Sequence, residues 1–438
     1  MANHSTYYSA DYLVEVTPDQ VICHPGGAFE VVGGRVASIG PSVETGNEPV
    51  VALGGLVMPG LVNAHCHAAM TLFRSAGDGL PLDRWLSEAI WPREAKMTPD
   101  DVHAGMVLGS LEMLLAGVTT SMEMYLHDEA IIEAVRRTGG RLVSSPGIIR
   151  ALHGADLPGR LDEVRELHAR HHRPDERISV GFGPHSVYDL DADLLRLIVG
   201  AAAELDAVVH IHLEETSEER QVVLDRDGRS ATQVLADVGA LDGQLVAAHG
   251  VWLDDHDRRL LGEAGASLAH CPNSNLKLGA GIADIRAMAD AGINVTIATD
   301  GPASGDSLDL WRGVSLATGL ARGMRHDPQA LGVDDVLLMA TANGGRAIGQ
   351  PDVGTLTVGS RADFIRIDID QPTFTPSLDE HELLTHLVFA NRGGNVTDVW
   401  VDGEQVVADR RPVRVDLDEA MREVVQRSSS GSGAPARL

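Results

Sequence analysis

The chain has 438 residues, 44% of them hydrophobic, which is enough to bury a large core and more than one small domain needs. Its 63 acidic residues outnumber 35 lysines and arginines, and the net charge of −28 would repel nucleic acids and anionic membranes. We therefore expect neither as a partner. Three scattered cysteines do not form a disulfide pattern, and no signal-peptide pattern is present, so we expect a cytoplasmic protein.

The first 57 residues predict antiparallel β structure. Within them, "AFEVVGGRVASIG" contains two strand-like runs joined at Gly33 and Gly34, and a glycine pair of this kind is typical of a hairpin turn. Because so few strands cannot bury a face alone, we expect this segment to pair with strands from elsewhere in the chain.

Residues 58–350 alternate short β-branched runs with amphipathic helical stretches. In one such stretch Thr98 can cap a helix, Pro99 fits its first turn and Gly117 can end it. Eight strand and helix units match a (β/α)8 TIM barrel, an α/β fold whose active sites lie at the C-terminal strand ends. A doubly wound sheet is the competing fold, but it more often has a glycine-rich loop after its first strand, where this chain has histidines.

The C-terminal part returns to antiparallel β structure, with an Asp402-Gly403 hairpin turn in "VTDVWVDGEQVVADRR". We expect both chain ends to meet in one small β-sandwich domain beside the barrel. The predicted organisation is residues 1–57 and 351–427 for this domain, 58–350 for the barrel, and a disordered tail over 428–438.

His65 and His67 end the first barrel strand with one residue between them. Side chains two apart in an extended chain point to the same side, so the two imidazoles project together. Neutral imidazole binds zinc and related ions, but such an ion needs further ligands from elsewhere. The alternative is that these are two ordinary polar residues at a strand end.

Further metal-ligand residue types follow other strands. His210 and His212 repeat the same spacing on strand five, with Glu214 and Glu215 just beyond, and strands six and eight end near His249 and Asp300. The C-terminal ends of barrel strands converge, so these residues predict a shared site at the face where barrel enzymes perform catalysis.

Eight motifs follow one another along the chain: "PGLVNAHCHAAMTLFR", "WPREAKM", "GFGPHS", "HIHLEETSEE", "AAHGVW", "HCPNSNLKLG", "ATDGPASGDSLDLW" and "GTLTVGSRADFIRID". In this order they resemble the motifs of the amidohydrolase superfamily, in particular its methylthioadenosine and S-adenosylhomocysteine deaminases. The resemblance covers nearly the whole chain and implies a hydrolytic deaminase acting on a small molecule. It also implies Glu215 and His249 as catalytic groups, Asp300 as base and ligand, and His210 as an interior residue. The implied metal ligands are His65, His67, His212 and Asp300. We also expect a homo-oligomer.

The resemblance also bears on the number of metal ions. Two-metal members of the superfamily use a carboxylated lysine at the end of strand four, whereas the lysines of this chain, Lys96 and Lys277, are far from that segment. We therefore expect a single divalent ion. The ligand types favour zinc, with Fe²⁺ or Mn²⁺ as alternatives.

Substrate contacts are implied at three positions. Glu94 in "WPREA" matches a glutamate that holds ribose hydroxyls, Arg160 matches an arginine in a "GRLDE"-like loop, and His185 is free to contact substrate. A surface salt bridge is the alternative role for Arg160. These residues favour an aminopurine nucleoside of the methylthioadenosine, S-adenosylhomocysteine or adenosine type. The competing functions are an aminohydrolase or chlorohydrolase of a triazine, guanine-type base or pterin, and a barrel that binds without turnover.

Two conspicuous features are expected to be structural. His168, His171 and His172 cluster at a predicted helix end, away from the strand ends. Cys66 points away from its histidine neighbours and is expected to pack in the core.

Overall fold

The strands alternate with helices through the middle of the chain and cluster without helices at its beginning. The computed structural model describes residues 5–46, 48–154 and 156–432. The strands are β1 Ser5–Ser9, β2 Tyr12–Val16, β3 Val21–Pro25, β4 Ala28–Val32, β5 Arg35–Gly40, β6 Val50–Ala52, β7 Leu56–Pro59, β8 Leu61–Cys66, β9 Val118–Glu123, β10 Arg141–Ser144, β11 Gly147–Ile148, β12 Ile178–Val180, β13 Gly183–Pro184, β14 Val209–Leu213, β15 Leu245–His249, β16 Ser267–His270, β17 Asn294–Ile297, β18 Phe364–Ile367, β19 Val396–Val401, β20 Glu404–Ala408 and β21 Arg411–Pro412.

Helices follow most of the central strands. They are α1 Leu82–Arg84, α2 Trp91–Glu94, α3 Pro99–Leu115, α4 Asp128–Thr138, α5 Arg150–His153, α6 Leu157–His171, α7 Ala192–Glu204, α8 Ser217–Asp227, α9 Ala231–Asp237, α10 Asp255–Glu263, α11 Pro272–Lys277, α12 Ile285–Asp290, α13 Pro302–Gly305, α14 Leu310–Arg325, α15 Val333–Met339, α16 Ala342–Ala347, α17 Glu380–Phe389 and α18 Leu417–Ser432. A π-helical segment, Trp85–Ile90, joins α1 to α2, and short 3-10 helices cover Ala68–Phe73, Ala240–Asp242, Pro372–Phe374 and Gly393–Asn395.

All eight strands predicted for the central region are present and form two parallel sheets. One sheet has the order β12-β10-β9-β8 and the other β14-β15-β16-β17. Their strands are buried along nearly their whole length, as expected for parallel strands covered on both faces by helices. The chain is therefore an α/β protein, as predicted.

Hydrogen bonds connect the two parallel sheets at both edges. At the β8 and β17 edges, Cys66 and Asp300 form a parallel bridge. The Asn63 side chain there donates to Thr299 Oγ1 at 2.7 Å and accepts from the Thr299 N–H at 3.0 Å. At the other edges a bridge joins Phe182, just after β12, to β14. The ends of β8, β14 and β17 consequently lie close together.

Helix α3 begins and ends where the sequence predicted. Thr98 is its N-cap and forms a reciprocal capping box with Asp101, Pro99 is its first residue, and Gly117 follows its end with a φ of +87°. The cap satisfies backbone N–H groups that have no partner within the helix, and glycine adopts positive φ without steric cost.

The two chain ends meet in one sheet, as the strand count predicted. This seven-stranded sheet has the order β21-β20-β19-β18-β7-β2-β3, and a second sheet has the order β5-β4-β1-β6. The predicted hairpins at Gly33-Gly34 and Asp402-Gly403 are both present. An aromatic cluster contains residues from both sheets. Phe29 stacks on Tyr8 with ring centroids 5.2 Å apart and meets Phe364 edge to face at 4.9 Å, and Phe364 stacks on Trp400 at 4.5 Å. This cluster forms a core separate from that of the parallel sheets.

The C-terminal region departs from prediction at its end. Helix α18 continues through Ser432, so residues 428–432 of the predicted disordered tail are helical, and 433–438 lie outside the described residues. The helix is held by tertiary contacts: Arg427 pairs with Asp101 at 3.0 Å and Val424 packs on Leu72. The serine- and glycine-rich composition suggested disorder, but contacts with α3 outweigh weak helix propensity.

Arg141 joins the parallel sheet to the chain-end sheet. Its side chain is fully buried at the start of β10, and its guanidinium lies 3.0 Å from Asp363 and 2.6 Å from Asp402. Both carboxylates belong to the chain-end sheet region, so the ion pairs fix the two parts of the molecule against each other.

Replacing Arg141 with alanine is therefore expected to lower the free energy of unfolding by about 3 kcal/mol or more, because it leaves the buried Asp363 carboxylate without its cation. Urea denaturation followed by circular dichroism measures the effect. Arg84→Ala is the matched control, since Arg84 pairs with Glu88 on the surface with both side chains about half exposed, and its loss should cost under about 0.5 kcal/mol. Equal effects of the two substitutions would contradict the assignment.

None of the helices in the described ranges combines the length and apolarity that crossing a bilayer requires.

Candidate metal-dependent active site

Three histidines and one aspartate converge where β8, β14 and β17 end. Asp300 Oδ1 lies 3.3 Å from His65 Nε2 and 3.2 Å from His67 Nε2. His67 Nε2 also lies 3.2 Å from His212 Nε2. The predicted set His65, His67, His212 and Asp300 is thus brought together by strands that are distant in sequence.

The outer ring nitrogens of His67 and His212 are held by backbone carbonyls. His67 Nδ1 donates to the Met124 carbonyl at 2.5 Å, and His212 Nδ1 donates to the His185 carbonyl at 2.8 Å. A carbonyl oxygen can only accept, so Nδ1 carries a proton in both rings, and each ring in its neutral form presents a lone pair at Nε2. Two such lone pairs 3.2 Å apart would repel each other, and a metal ion between them removes that repulsion.

His65 is oriented from behind by His210. His65 Nδ1 and His210 Nε2 are 2.8 Å apart, both side chains are fully buried, and His65 Nε2 has no hydrogen-bond partner among the described residues. His210 therefore contacts His65 instead of joining the convergent group itself, and it occupies an interior position.

The two carboxylate oxygens of Asp300 have different surroundings. Oδ2 accepts hydrogen bonds from Ser274 Oγ at 2.5 Å and from Ser304 Oγ at 2.7 Å. Oδ1, the oxygen near the histidines, is left to face the centre. The serines fix the carboxylate's rotation, as outer partners of metal ligands commonly do.

This donor set fits a divalent metal ion. Three imidazole nitrogens and one carboxylate oxygen are ligands that zinc and similar ions accept, and the ligand atoms of His65, His67 and His212 lie within 4.8 Å of one another. A second group of buried atoms, from His65, His249 and Cys271, also lies within 4.8 Å. Burial and the nearby carboxylates raise the pKa of the Cys271 thiol well above its usual value, and this side chain packs in a hydrophobic cluster with Val246 and Ala298.

Glu215 and His249 lie beside the metal group. Glu215 Oε2 is 3.7 Å from His249 Nε2, while Glu215 Oε1 is buried without a hydrogen-bond partner among the described residues. Burial, helped by the charge of Asp300, raises the pKa of Glu215 to about 8. The carboxyl group is thus protonated near neutral pH and can give that proton to a bound molecule.

Three residues next to the site have positive backbone φ angles. Glu214 has a φ of 46°, His249 of 73° and Asp300 of 60°. Residues other than glycine seldom adopt these angles, and such positions concentrate where side-chain placement matters for function. His249 is the last residue of β15, Glu214 directly follows β14, and Asp300 lies three residues beyond β17. At His249 and Asp300 the side chain itself lines the pocket, whereas after Glu214 it is that of the next residue, Glu215.

Two of the three predicted substrate residues line the pocket above the metal group. Glu94 and His185 face it together with Glu215 and Asp300. Burial raises the pKa of Glu94 to about 7 and lowers that of His185 to about 3, so His185 is neutral. Trp85 also lines the pocket, and its indole N–H donates to the Ala76 carbonyl at 2.8 Å.

Arg160 does not line this pocket. Its guanidinium binds Asp128 at 2.6 Å and Glu163 at 3.1 Å, and its Nε donates to the Gly147 carbonyl at 3.1 Å. Its role as a substrate contact stays a prediction, while the ion pair considered as its alternative role is present.

Several supporting residues were not identified from the sequence. Besides Ser274 and Ser304, they include Asn275, whose Oδ1 accepts from His249 Nδ1 at 2.8 Å, and Glu123. Glu123 is buried at the end of β9, where its carboxylate accepts from the Cys66 thiol at 3.0 Å and from the Ala68 N–H. A glutamate at the end of a buried strand could have been recognised in the sequence. Its partners, Cys66 and Ala68, lie at the end of β8 and just after it, so the sequence near Glu123 does not reveal them.

Features set aside from the sequence also have structural roles. Cys66 is buried in the main core. His168 and His172 stack with ring centroids 4.2 Å apart, and among the described residues neither belongs to a group placed to bind a metal. Lys277 pairs with Asp306 at 2.8 Å, away from the end of β12.

The sequence model of the amidohydrolase family matches residues 56–406, which include every residue of this site. The chain belongs to the amidohydrolase family. Two relatives named 5-methylthioadenosine/S-adenosylhomocysteine deaminase are similar over most of their length. The one from Haloarcula marismortui is 39% identical over 89% of this chain and 90% of that protein, and the one from Pelotomaculum thermopropionicum is 37% identical over 96% of both.

Two solved structures have the same fold as this chain. An adenosine deaminase from Xanthomonas campestris, solved with bound zinc, superposes with a TM-score of 0.91 at 30% identity and covers 97% of this chain and 98% of its own. The atrazine chlorohydrolase TrzN from Arthrobacter aurescens, complexed with zinc, has a TM-score of 0.89 at 23% identity, covering 97% and 100%. The second likeness concerns the fold alone.

Proposed function

We propose that this amidohydrolase is a metal-dependent deaminase that releases ammonia from an adenosine-type nucleoside. The observation that carries the proposal is the pairing of the histidine and aspartate group with Glu215, a buried carboxyl that keeps its proton near neutral pH. Hydrolytic deamination needs both a nucleophile made from water and an acid for the ring nitrogen. A barrel that only binds has no need to bury such an acid beside a metal site.

We propose one zinc ion per chain, held by His65, His67, His212 and Asp300. When bound, the ion supplies the hydrolytic power of the site, because it makes water acidic enough to act as a nucleophile near pH 7. The support is the four convergent donor atoms, the absence of a lysine at the end of β12, and the zinc present in the similar adenosine deaminase.

The proposed reaction divides proton handling among three residues. Asp300 Oδ1 accepts a proton from the attacking water, and His249 Nε2 orients that water by a hydrogen bond. Glu215 gives its proton to the ring nitrogen next to the attacked carbon. The water oxygen bonds to that carbon, the proton held by Asp300 passes to the amino group, and the carbon–nitrogen bond breaks to release ammonia. The proton from Glu215 stays on the ring nitrogen, and the hydroxyl proton on the attacked carbon returns to Glu215 as the carbonyl forms.

A nucleoside is favoured over a free base or a triazine. The relatives that match at 33–39% identity are named for 5-methylthioadenosine, S-adenosylhomocysteine or, from Methanothermobacter thermautotrophicus, 5'-deoxyadenosine. Glu94 gives the pocket a buried carboxylate that can accept from both ribose hydroxyls, and His185 adds a second polar contact. Aminated or chlorinated triazines, guanine-type bases and pterins are the competing substrates.

The contacts between the sheets also support a proposal for the architecture. We propose that the two parallel sheets close into one eight-stranded barrel over residues 58–350, and that both chain ends build a β-sandwich beside it. The bridges at both sheet edges and the aromatic cluster between the two chain-end sheets support this arrangement. A homo-oligomeric, cytoplasmic enzyme remains our prediction.

An ammonia-release screen tests the function. The zinc-loaded protein would be assayed with adenosine, 5'-methylthioadenosine, adenine, guanine, an aminopterin-type pterin and an aminotriazine. We expect the two nucleosides to have the highest kcat/KM. Preference for the triazine or a free base would contradict the nucleoside proposal in favour of that substrate. If no compound releases ammonia, the proposal that the protein is a deaminase would be contradicted.

A variant of Glu94 tests the ribose contact. Glu94→Ala should lower kcat/KM for 5'-methylthioadenosine about tenfold or more, while the 2'-deoxy analogue loses less, because charge-assisted hydrogen bonds contribute roughly 1.5–3 kcal/mol each. Kinetics on both compounds measure the difference. Glu88→Ala on the same helical run is the control, since Glu88 is 52% exposed and pairs with Arg84. A parallel loss on both compounds would argue against the contact.

A further inference from the structure

We propose that Arg220 is a positioning residue for the catalytic acid Glu215. It lies on α8, just beyond the motif that contains Glu215, and it is not among the described residues that line the pocket. Its guanidinium joins the acid turn (residues 214–216) to the β15 loop (residues 250–254), which follows His249. This role rests on the proposed function, because it concerns the placement of the acid in that reaction.

The acid turn and the β15 loop run side by side. Leu213, the last residue of β14, pairs with His249, the last residue of β15. Just beyond this pair, the Trp252 N–H donates to the Glu214 carbonyl at 3.1 Å. A shift of the acid turn relative to the β15 loop would therefore change the 3.7 Å separation between Glu215 Oε2 and His249 Nε2.

The acid turn contains a residue in a costly backbone conformation. Glu214 has a φ of 46°, and a residue other than glycine keeps this left-handed conformation only where the surrounding structure holds it. Glu215 lines the pocket, whereas Glu214 is not among the described residues that do. Holding the Glu214 side chain away from the pocket therefore helps to keep the acid facing it.

Arg220 holds the Glu214 side chain. Its Nη1 donates to Glu214 Oε2, and Glu214 Oε1 accepts from the Ala231 N–H at 3.3 Å. The Glu214 side chain is 1% exposed, so these donors replace water around its carboxyl group. Burial and the charge of Asp257 raise the pKa of Glu214 to about 7, and Arg220 opposes that shift. Arg220 thus stabilises the ionised form of Glu214 and sets the direction of its side chain.

The same guanidinium reaches the β15 loop and the start of α10. Nη1 also donates to the Trp252 carbonyl at 3.2 Å and to Asp257 at 2.7 Å, and Nη2 donates to Asp254 at 2.6 Å. Asp254 is the N-cap of α10, and Asp257 completes its capping box. Arg220 is therefore one side chain that restrains both the turn that carries Glu215 and the loop beside it.

Arg220→Met tests this role in the zinc-loaded enzyme with 5'-methylthioadenosine. Methionine fills similar space but cannot join the acid turn to the β15 loop. We expect kcat to fall about tenfold or more, because a small misplacement of a catalytic group slows the chemical step. KM should stay within about threefold and the zinc content near one ion per chain. Glu219 Oε2 still accepts from the Glu215 N–H at 3.0 Å, so the loss should be partial.

Arg258→Met is the matched control. The side chains of Arg258 and Arg220 are similarly buried, with 19% and 18% exposed. Arg258 donates to the Leu253 carbonyl and to Asp255, in the β15 loop and at the start of α10, so its loss does not disconnect the acid turn. We expect kcat of this variant to stay within about twofold. Equal falls of kcat in the two variants would overturn the proposal.

A double variant separates positioning from general destabilisation. If Arg220 acts by placing Glu215, Arg220→Met should lower kcat by less than about threefold in a protein that already carries Glu215→Gln. A loss by the same factor in both backgrounds would show that Arg220 acts independently of the acid, and the proposal would be wrong.

Hydrogen exchange gives a readout that does not depend on activity. In Arg220→Met we expect faster exchange in the acid turn and the β15 loop, with β14 and β15 themselves unchanged. Unchanged exchange in both segments would contradict the link made by Arg220 while the deaminase proposal stands. If the unmodified zinc-loaded protein releases no ammonia from any nucleoside, the proposed function fails, and the exchange result still decides whether Arg220 joins the two segments.

Arg220→Lys covers the case in which the methionine variant does not fold. Lysine keeps a positive charge near Glu214, but its single nitrogen cannot span the acid turn and Asp254 as the guanidinium does. We expect this variant to fold with kcat lowered about fivefold or more. The kcat of the unmodified enzyme in Arg220→Lys would overturn the proposal.

Discussion

Replacing Asp300 with asparagine is expected to abolish both metal retention and turnover, with kcat/KM falling on the order of 10³-fold or more. Asp300 Oδ1 is the carboxylate oxygen that lies beside the Nε2 atoms of His65 and His67, and it is also the proposed acceptor of the water proton. An amide presents an oxygen of similar shape but carries no charge, so it weakens the ion's binding and cannot take the proton.

Metal analysis of the dialysed protein and kinetics with added zinc measure the two losses separately. Asp290→Asn is the matched control, because Asp290 is exposed on α12 and pairs with Arg286. Full activity of Asp300→Asn in excess zinc would show that Asp300 is only a ligand, and unchanged metal content would remove it from the ligand set.

Replacing Glu215 with glutamine is expected to separate the two functions. The variant should keep about one metal ion per chain and lose turnover on the order of 10²-fold or more. Glu215 contacts the site through His249 at 3.7 Å and does not belong to the group of convergent ligand atoms. Glutamine fills the same space but cannot give up a proton to the ring nitrogen.

The control for this variant is Glu218→Gln, which makes the same change three residues later at an exposed position. It should change neither metal content nor kcat/KM by more than about twofold. Loss of the metal in Glu215→Gln, or turnover equal to that of the unmodified enzyme, would contradict the assignment of Glu215 as the acid.

Local patterns were enough to predict much of the fold. The alternation of strand and helix units, the Thr98 cap and the hairpin at Asp402-Gly403 all depend on residues close in sequence, and the structure confirms each of them. Residues 428–432, at the end of α18, were predicted to be disordered but are helical, because their structure depends on residues distant in sequence. These serine-rich residues favour disorder locally, and the contact of Arg427 with Asp101 that holds the helix spans most of the chain.

Arg160 shows that local sequence is also insufficient to assign the contacts of a site residue. Its residue type and its position in a motif implied contact with substrate, but its environment decides its partner. Asp128, on α4, lies 2.6 Å from the guanidinium, outside the pocket that contains Glu94 and His185. The supporting serines of Asp300 were likewise missed, because nothing near them in sequence marks them as partners of that carboxylate.

The sequence by itself determined that His65 and His67 point to one side of a strand end, since alternation along an extended chain is a local property. It also placed the metal-ligand residue types at the ends of strands that meet on one face. Only the tertiary structure decided that His67 and His212 turn their Nε2 lone pairs toward each other. The carbonyls of Met124 and His185 orient the rings. Every residue carries a carbonyl, so sequence cannot mark the two that matter until the strands are set side by side.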